Sequence, residues 1–492
     1  MLFDDFSQFM SSQRFYQYKV LKKQLAQAEN YQEWKYIAEK IDEVSGANVW
    51  RNDSQSPYFD VETIQYRLNL LQRYRSSKTI HDLIHILREE LRYDTANISH
   101  PMLYSVSFVG TKKVIEDYLT EVSQALIFVA QADENVLSKS EKIKFFEACK
   151  KTYGQPAIMF SGGATLGLFH TGVCKALLEQ DLMPDVISGA SAGAIFAGLL
   201  GTVPKSKMMD VITQYYFVNE PLSFKRIFKI LQQKQGIADI QALQNFLIEL
   251  FADITFEEAF DCSGKHINVA VAPYHTLNKA RIMNKYTSPD LLVWSAVLAS
   301  CAVPVLFPAV QLTSKRYDGQ YTPYMANTKW VDGSMRIDFP QGKMARLYNL
   351  NYTIASQSNP HIVPFLQSDL ARFRKDLLSW PQRILRRQGT EIAKELIDFS
   401  RDRAKFIPIA QHFLDLGYGI LDQRYYGNIN IFGHFNLRHY GYMLQNPNPK
   451  LFKILQKEGE RATWPKIAAI EAYARTGKTI DFCLNLLAQH EP

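Results

Sequence analysis

The chain has 492 residues, 47% of them hydrophobic and 21% charged, with a formal net charge of +7. This composition excludes a disordered chain and leaves room for one large α/β unit with helical extensions, or for about three domains. The modest positive balance suits a solubilising surface or contact with an anionic membrane, and no recognisable nucleic-acid module is present, which argues against that partner. Residues 1–152 read as helical, with apolar residues at helical spacing over 15–25, 34–44, 64–74, 80–91 and 114–130. No nucleophile–base arrangement occurs there. His81 and His85 share a helical face, but without an intervening Glu or a third ligand they read as surface or core histidines rather than a metal pair.

From 153 to 364 strands alternate with helices, which predicts a mostly parallel sheet covered on both faces. Two glycine-rich turns stand at its start. Ala157-Ile158-Met159-Phe160 leads into Ser161-Gly162-Gly163-Ala164-Thr165-Leu166-Gly167 and a helix over 168–179. Val186-Ile187-Ser188 leads into Gly189-Ala190-Ser191-Ala192-Gly193 and a helix over 194–200. The second turn has the G-x-S-x-G form of a nucleophile elbow: Gly189 and Gly193 make room for Ser191 on a strained bend at a helix N-terminus, where unpaired amides and the helix dipole favour a developing anion. Alone, the pattern also fits any small-residue turn entering a packed helix. The first turn adds adjacent glycines that expose backbone N–H groups, as an oxyanion hole or a phosphate cradle needs. It lacks both the Gly-Lys-Ser/Thr ending of a P-loop and the G-x-G-x-x-G spacing of a dinucleotide fold.

Further along, helices are expected over 206–218 and 239–251, then a capping box at Thr255-Phe256-Glu257-Glu258 and a strand over 267–273. Ser288-Pro289-Asp290 reads as a helix start running toward Pro304, and 347–355 as the strand that closes the sheet. Asp332, in Val331-Asp332-Gly333-Ser334, puts a carboxylate where a strand should end, although Asp-Gly is also an ordinary turn dipeptide. The 217–236 stretch is a candidate acyl-chain entrance or a plain helical connection.

Residues 365–492 read as mainly helical. Over 365–403, apolar residues such as Leu370, Phe373 and Leu377 alternate with Arg372, Arg374 and Lys375, and Pro381 divides the helix. That mixture suits a membrane-surface helix or the solvated face of a packed one. Gly427-Asn428-Ile429-Asn430-Ile431 reads as a short strand. The five cysteines, Cys149, Cys174, Cys262, Cys301 and Cys483, are widely spaced and lack a C-x-x-C pair, so reduced core thiols are expected, with no disulfide framework, metal or cofactor. No run approaches the roughly 18 apolar residues of a spanning helix, and Met1-Leu2-Phe3-Asp4-Asp5 lacks the features of a signal peptide. An intracellular, cytoplasmic protein with peripheral association to a lipid surface is expected.

The two glycine turns and the Asp-Gly turn together resemble the patatin-like phospholipase family, as do Ala299-Ser300-Cys301-Ala302-Val303-Pro304 and Phe307-Pro308. Ser356-Gln357-Ser358-Asn359-Pro360-His361, Trp50-Arg51-Asn52-Asp53 and the stretches 104–111 and 459–467 resemble its triacylglycerol lipase branch, so the resemblance covers most of the chain. It implies a patatin-like three-layer α/β sandwich at 153–364, behind a helical N-terminal extension of the triacylglycerol lipase type at 1–152 and before the helical region at 365–492. It further implies a Ser-Asp dyad of Ser191 and Asp332, an oxyanion hole at the Gly162-Gly163-Ala164 backbone, and hydrolysis of glycerolipid acyl esters at a membrane or lipid-droplet surface. Triacylglycerol is favoured over phospholipase A or lysophospholipase substrates. Many members carry a third glycine and then Arg or Lys in the first turn, where this chain has Ala164 and Leu166, a tilt toward neutral glycerides. Two rivals stay open. One is a Ser-His-Asp triad, for which α/β-hydrolase chain order offers His361, His412, His434, His439 or His490; His170, just past the first turn, reads as a packing or hydrogen-bonding residue. The other is a non-catalytic lipid-binding protein on the same fold.

Overall fold

A computed structural model describes residues 12–91, 94–214, 240–274, 279–304, 307–334, 338–359, 427–433, 435, 441 and 448–489. The 217–236 stretch and the basic segment over 365–403 lie outside the described residues. The N-terminal region is helical as expected: α1 (Ser12–Gln27), α2 (Tyr31–Ser45), α3 (Ala47–Asn52), α4 (Val61–Ser76), α5 (Ile80–Glu90), α6 (Lys113–Ala130) and α7 (Lys139–Tyr153). Local signals set their starts, since Asn30 and Asp60 cap α2 and α4, and Ser138 with Glu141 forms a capping box on α7. The two motif stretches of this region lock together. The buried Asp42 carboxylate accepts the Ser107 hydroxyl at 2.6 Å and the Phe108 amide at 3.0 Å, while Arg51 pairs with Glu116 at 2.9 Å and donates to the Thr111 carbonyl. Buried charges so satisfied fix the geometry of a cap whose apolar faces do the stabilising.

The strands are β1 (Gln155–Phe160), β2 (Val186–Gly189), β3 (His266–Pro273), β4 (Arg281–Met283), β5 (Leu312–Lys315), β6 (Tyr321–Tyr324), β7 (Trp330–Asp332), β8 (Leu350–Gln357) and β9 (Ile429–Phe432). One sheet runs in the order β4-β3-β2-β1-β8-β9, with β7 also paired to β3; β5 and β6 form a separate hairpin. The pairs β1–β2, β2–β3, β1–β8 and β8–β9 are parallel, and β4 and β7 run antiparallel to β3. Ala157 to Phe160 are wholly buried, as the continuous apolar run of a central parallel strand requires. Between and after the strands lie α8 (Phe169–Glu179), α9 (Ala192–Gly201), α10 (Met208–Thr213), α11 (Ile240–Phe251), α12 (Phe256–Ser263), α13 (Val293–Cys301) and α14 (Gln341–Tyr348). The capping box expected at Thr255 and Glu258 starts α12.

Three expectations need correction. The helix read from Ser288-Pro289 begins only at Val293, because Leu291 and Leu292 are held extended by bridges to Ser314 and Thr255. β8 does not close the sheet, since β9, from beyond residue 364, pairs along its outer side. Cys262 is exposed rather than a core thiol. The tail completes the molecule with α15 (Pro449–Thr463) and α16 (Ile467–Gln489). α15 lies backbone-to-backbone on α8: a Cβ at Gly172 would stand 1.8 Å from the Gln456 carbonyl oxygen, and one at Gly459 2.1 Å from that of Phe169. α16 sends Ile480, Cys483 and Leu487 into the core shared by α4 to α7, so the tail fastens the extension to the sheet-bearing unit. Among the described residues, no helix is long and apolar enough to cross a membrane.

Candidate active site

Both glycine turns leave the carboxyl ends of adjacent parallel strands, β1 and β2, so they meet at one edge of the sheet. Ser191 stands as the N-cap of α9 with φ 51° and ψ −125°, a strained conformation for a residue with a side chain. Neighbours hold it there. Its amide donates to Ser300 Oγ at 2.9 Å, the Ser300 hydroxyl donates to the Ala270 carbonyl on β3 at 2.8 Å, and the Cys301 thiol lies 3.5 Å from the Ser191 carbonyl. Gly189 and Gly193 make the bend sterically feasible, since a Cβ at Gly189 would stand 2.2 Å from the Gly193 oxygen and one at Gly193 2.3 Å from the Phe160 oxygen.

Asp332 ends β7, opposite Val271 of β3. Its amide donates to the Ala302 carbonyl at 3.0 Å, so the Ala299 to Pro304 run steadies Ser191 and Asp332 together. The Ser191 hydroxyl is near enough to the Asp332 carboxylate to lower its pKa, and the Ser334 amide donates to its Oδ1 at 2.8 Å. Asp332 is only 1% exposed, and burial pushes its carboxyl up to about 6 against the downward pull of those groups.

The first turn abuts Ser191, for a Cβ built on Gly162 would lie 3.3 Å from the Ser191 Cβ. Gly167 lets the two helical segments close up, since its Cβ would stand 2.6 Å from that of Ala192. The hydroxyls of Ser161 and Ser358 both donate to the Gly162 carbonyl at 2.8 Å. In a trans peptide that pins the Gly163 N–H to the opposite direction. Within the expected hole at the Gly162-Gly163-Ala164 backbone, the Gly162 N–H is taken up by Asp338 Oδ1 at 3.1 Å. The amides of Gly163 and Ala164 have no acceptor among the described residues, nor does that of Ala192 at the start of α9.

His170 is a buttress under this turn. Its Nε2 is 3.0 Å from the Ser161 carbonyl and its Nδ1 2.7 Å from Ser356 Oγ, and burial pulls its pKa down to about 4, so the ring stays neutral at physiological pH. The rival bases His361, His412, His434, His439 and His490 lie outside the described residues. Sequence reasoning missed Asp338, Ser300 and Ala192. Ala192 was within reach, because the residue after an elbow serine is a usual oxyanion donor; Ser300 lay inside a quoted motif, and Asp338 had no local signal.

Ala164 has φ 49°, so a glycine would fit better where this chain carries a side chain. Ala164→Gly is expected to stabilise the fold by about 1 kcal/mol, read as a higher Tm with kcat retained.

Residues 158–342 match the family described as patatin-like phospholipase, and residues 10–151 match a domain of unknown function, DUF3336. The chain is 32% identical over 459 residues to triacylglycerol lipase ptl3 of Schizosaccharomyces pombe, covering 91% of this chain and 93% of that one. It is 28% identical over 494 residues to triacylglycerol lipase SDP1L of Arabidopsis thaliana, covering 96% of this chain and 59% of that one. Triacylglycerol lipase 4 of Saccharomyces cerevisiae is 30% identical over 483 residues, covering 94% of this chain and 52% of that one. The chain therefore spans nearly all of the first relative and little more than half of the other two.

Proposed function

The chain belongs to the patatin-like phospholipase family and is a carboxylic ester hydrolase acting on lipid, and from that premise we propose that it cleaves fatty-acyl esters of glycerolipids, triacylglycerol foremost, through Ser191 and Asp332. The observation that carries this reading is that the Ser191 hydroxyl acts on the buried Asp332 carboxylate, beside amides that have no acceptor among the described residues. Ser191 Oγ attacks the ester carbonyl carbon as its proton passes to Asp332, and the amides of Gly163 and Ala164 receive the negative oxygen. The tetrahedral adduct collapses, the glyceride alcohol leaves with the proton from Asp332, and the acyl group stays on Ser191. Water then attacks the acyl-serine and gives its proton to Asp332. Collapse returns that proton to Ser191 and frees the fatty acid.

An ordinary carboxylate, with a pKa near 4, would be a weak base for a serine hydroxyl. Burial of Asp332 moves it toward neutrality, where a group can both take and return a proton. Because the charged form is the base, kcat/KM is expected to fall as pH drops through about 6. The preference for triacylglycerol is supported by the names of the three relatives and by Leu166, which puts no cation in the first turn to hold an anionic head group. Such a substrate is reached at the surface of a membrane or lipid droplet. The test is a panel of tri-, di- and monoglycerides and phosphatidylcholine, offered as emulsions to wild type and Ser191→Ala. Fastest release of fatty acid from triacylglycerol, lost in the variant, is expected; faster release from phosphatidylcholine would make the protein a phospholipase A.

A further inference from the structure

Asp338 has no part in the dyad, yet it is buried at 1% exposure directly behind the first turn. Its two oxygens hold different elements: Oδ1 accepts the Gly162 amide at 3.1 Å, and Oδ2 accepts Asn359 Nδ2 at 2.8 Å from the end of β8. The charge of Asp332 also acts on it. Burial, chiefly, pushes its carboxyl up to about 7, against the Gly162 bond and with help from the Asp332 charge. A second carboxylate placed out of water beside the first is costly, and a neutral side chain could accept the same amide without that cost. Groups retained against such a cost cluster where chemistry is done.

We propose that Asp338 is a positioning residue of the hydrolytic site. It fixes the amide of Gly162 while Ser161 and Ser358 fix the Gly162 carbonyl, so the turn cannot rotate and the Gly163 and Ala164 amides stay aimed beside Ser191. Its charge also makes Asp332 the stronger base. The two acids titrate as a pair, so the rate rises in two steps, near pH 6 and near pH 7, and is greatest when both are charged. This inference rests on the dyad reading.

The test is Asp338→Asn, which is nearly isosteric. Its side-chain oxygen can still accept the Gly162 amide, and Asn359 can turn its own amide to meet the new NH2, so the charge is what goes. In ester hydrolysis followed from pH 4.5 to 9, kcat is expected to fall about 10-fold or more with KM within about twofold. The two-step profile should collapse to a single step at or below pH 6. A purely structural role would lower Tm and leave the profile alone. Asn359→Ala cuts the other anchor but keeps both acids, so it should lower kcat while retaining two steps. A folded Asp338→Asn with wild-type kcat and a two-step profile overturns the proposal; if that variant does not fold, Asn359→Ala with wild-type kcat overturns it instead. Asp332→Asn, run alongside, separates the failures. Turnover by Asp332→Asn removes the dyad reading, whereas its loss beside an unaffected Asp338→Asn removes only the role of Asp338.

Discussion

Asp332→Asn is expected to lower kcat for ester hydrolysis by ~10²–10⁴-fold while raising the melting temperature at pH 7.5. The two effects share a cause. The folded protein holds this carboxyl at about 6, above the usual carboxylate range, because it is buried. A raised carboxyl pKa means that folding is opposed whenever the group is charged in both states. That penalty is complete above about pH 6, fades as pH falls toward 4, and is gone below it. An uncharged, similar-sized Asn escapes it, which is worth on the order of 2–3 kcal/mol at neutral pH for a group this deeply buried. Thermal melts of wild type and variant at pH 7.5 and pH 4 check the sign, because the gap should shrink on acidification. A variant that melts lower at pH 7.5 would mean that Asp332 is held for stability rather than for chemistry.

Gly193→Ala should damage both the fold and the site. The new Cβ would stand 2.3 Å from the Phe160 oxygen and 2.7 Å from the Ser161 oxygen, and both belong to backbone that cannot swing aside. Relief requires moving β1 or the first turn away from the elbow, at a cost on the order of 3 kcal/mol. The same movement separates Ser191 from the amides of Gly163 and Ala164. Gly342→Ala is the control: nothing lies within 4 Å of its Cβ position in α14, so it should melt at or slightly above wild type. Melting curves and active-site titration on both variants decide the matter, and a wild-type Gly193→Ala would show that the two turns do not need their close approach.

What the sequence made legible is what is local in it. Each glycine turn, with its strand before and helix after, occupies about 20 consecutive residues, and turn chemistry alone predicts its shape. The Thr255 capping box and the helical N-terminal region were legible for the same reason. Pairings across long stretches of chain were not. Gly162 and Asp338 are 176 residues apart, so nothing near either one showed that the carboxylate takes the amide. Proline at Ser288-Pro289 has the form of a helix start, but bridges from Leu291 to Ser314 and from Leu292 to Thr255 outweighed the local preference. The β5–β6 hairpin did leave a signal, Asp318-Gly319 between β-branched and aromatic residues, with Gly319 at φ 78°. Asp332 lies between these cases, because its Asp-Gly turn was visible but only the resemblance tied it to Ser191.

The central claim is that Ser191 is the activated nucleophile, and labelling with a fluorophosphonate, followed by peptide mass spectrometry, tests it most directly. One adduct per chain, on the peptide carrying Ser191, absent from Ser191→Ala and strongly slowed in Asp332→Asn, is the predicted result. An adduct on a different residue, or a fully active wild type that the reagent leaves unmodified, would contradict it.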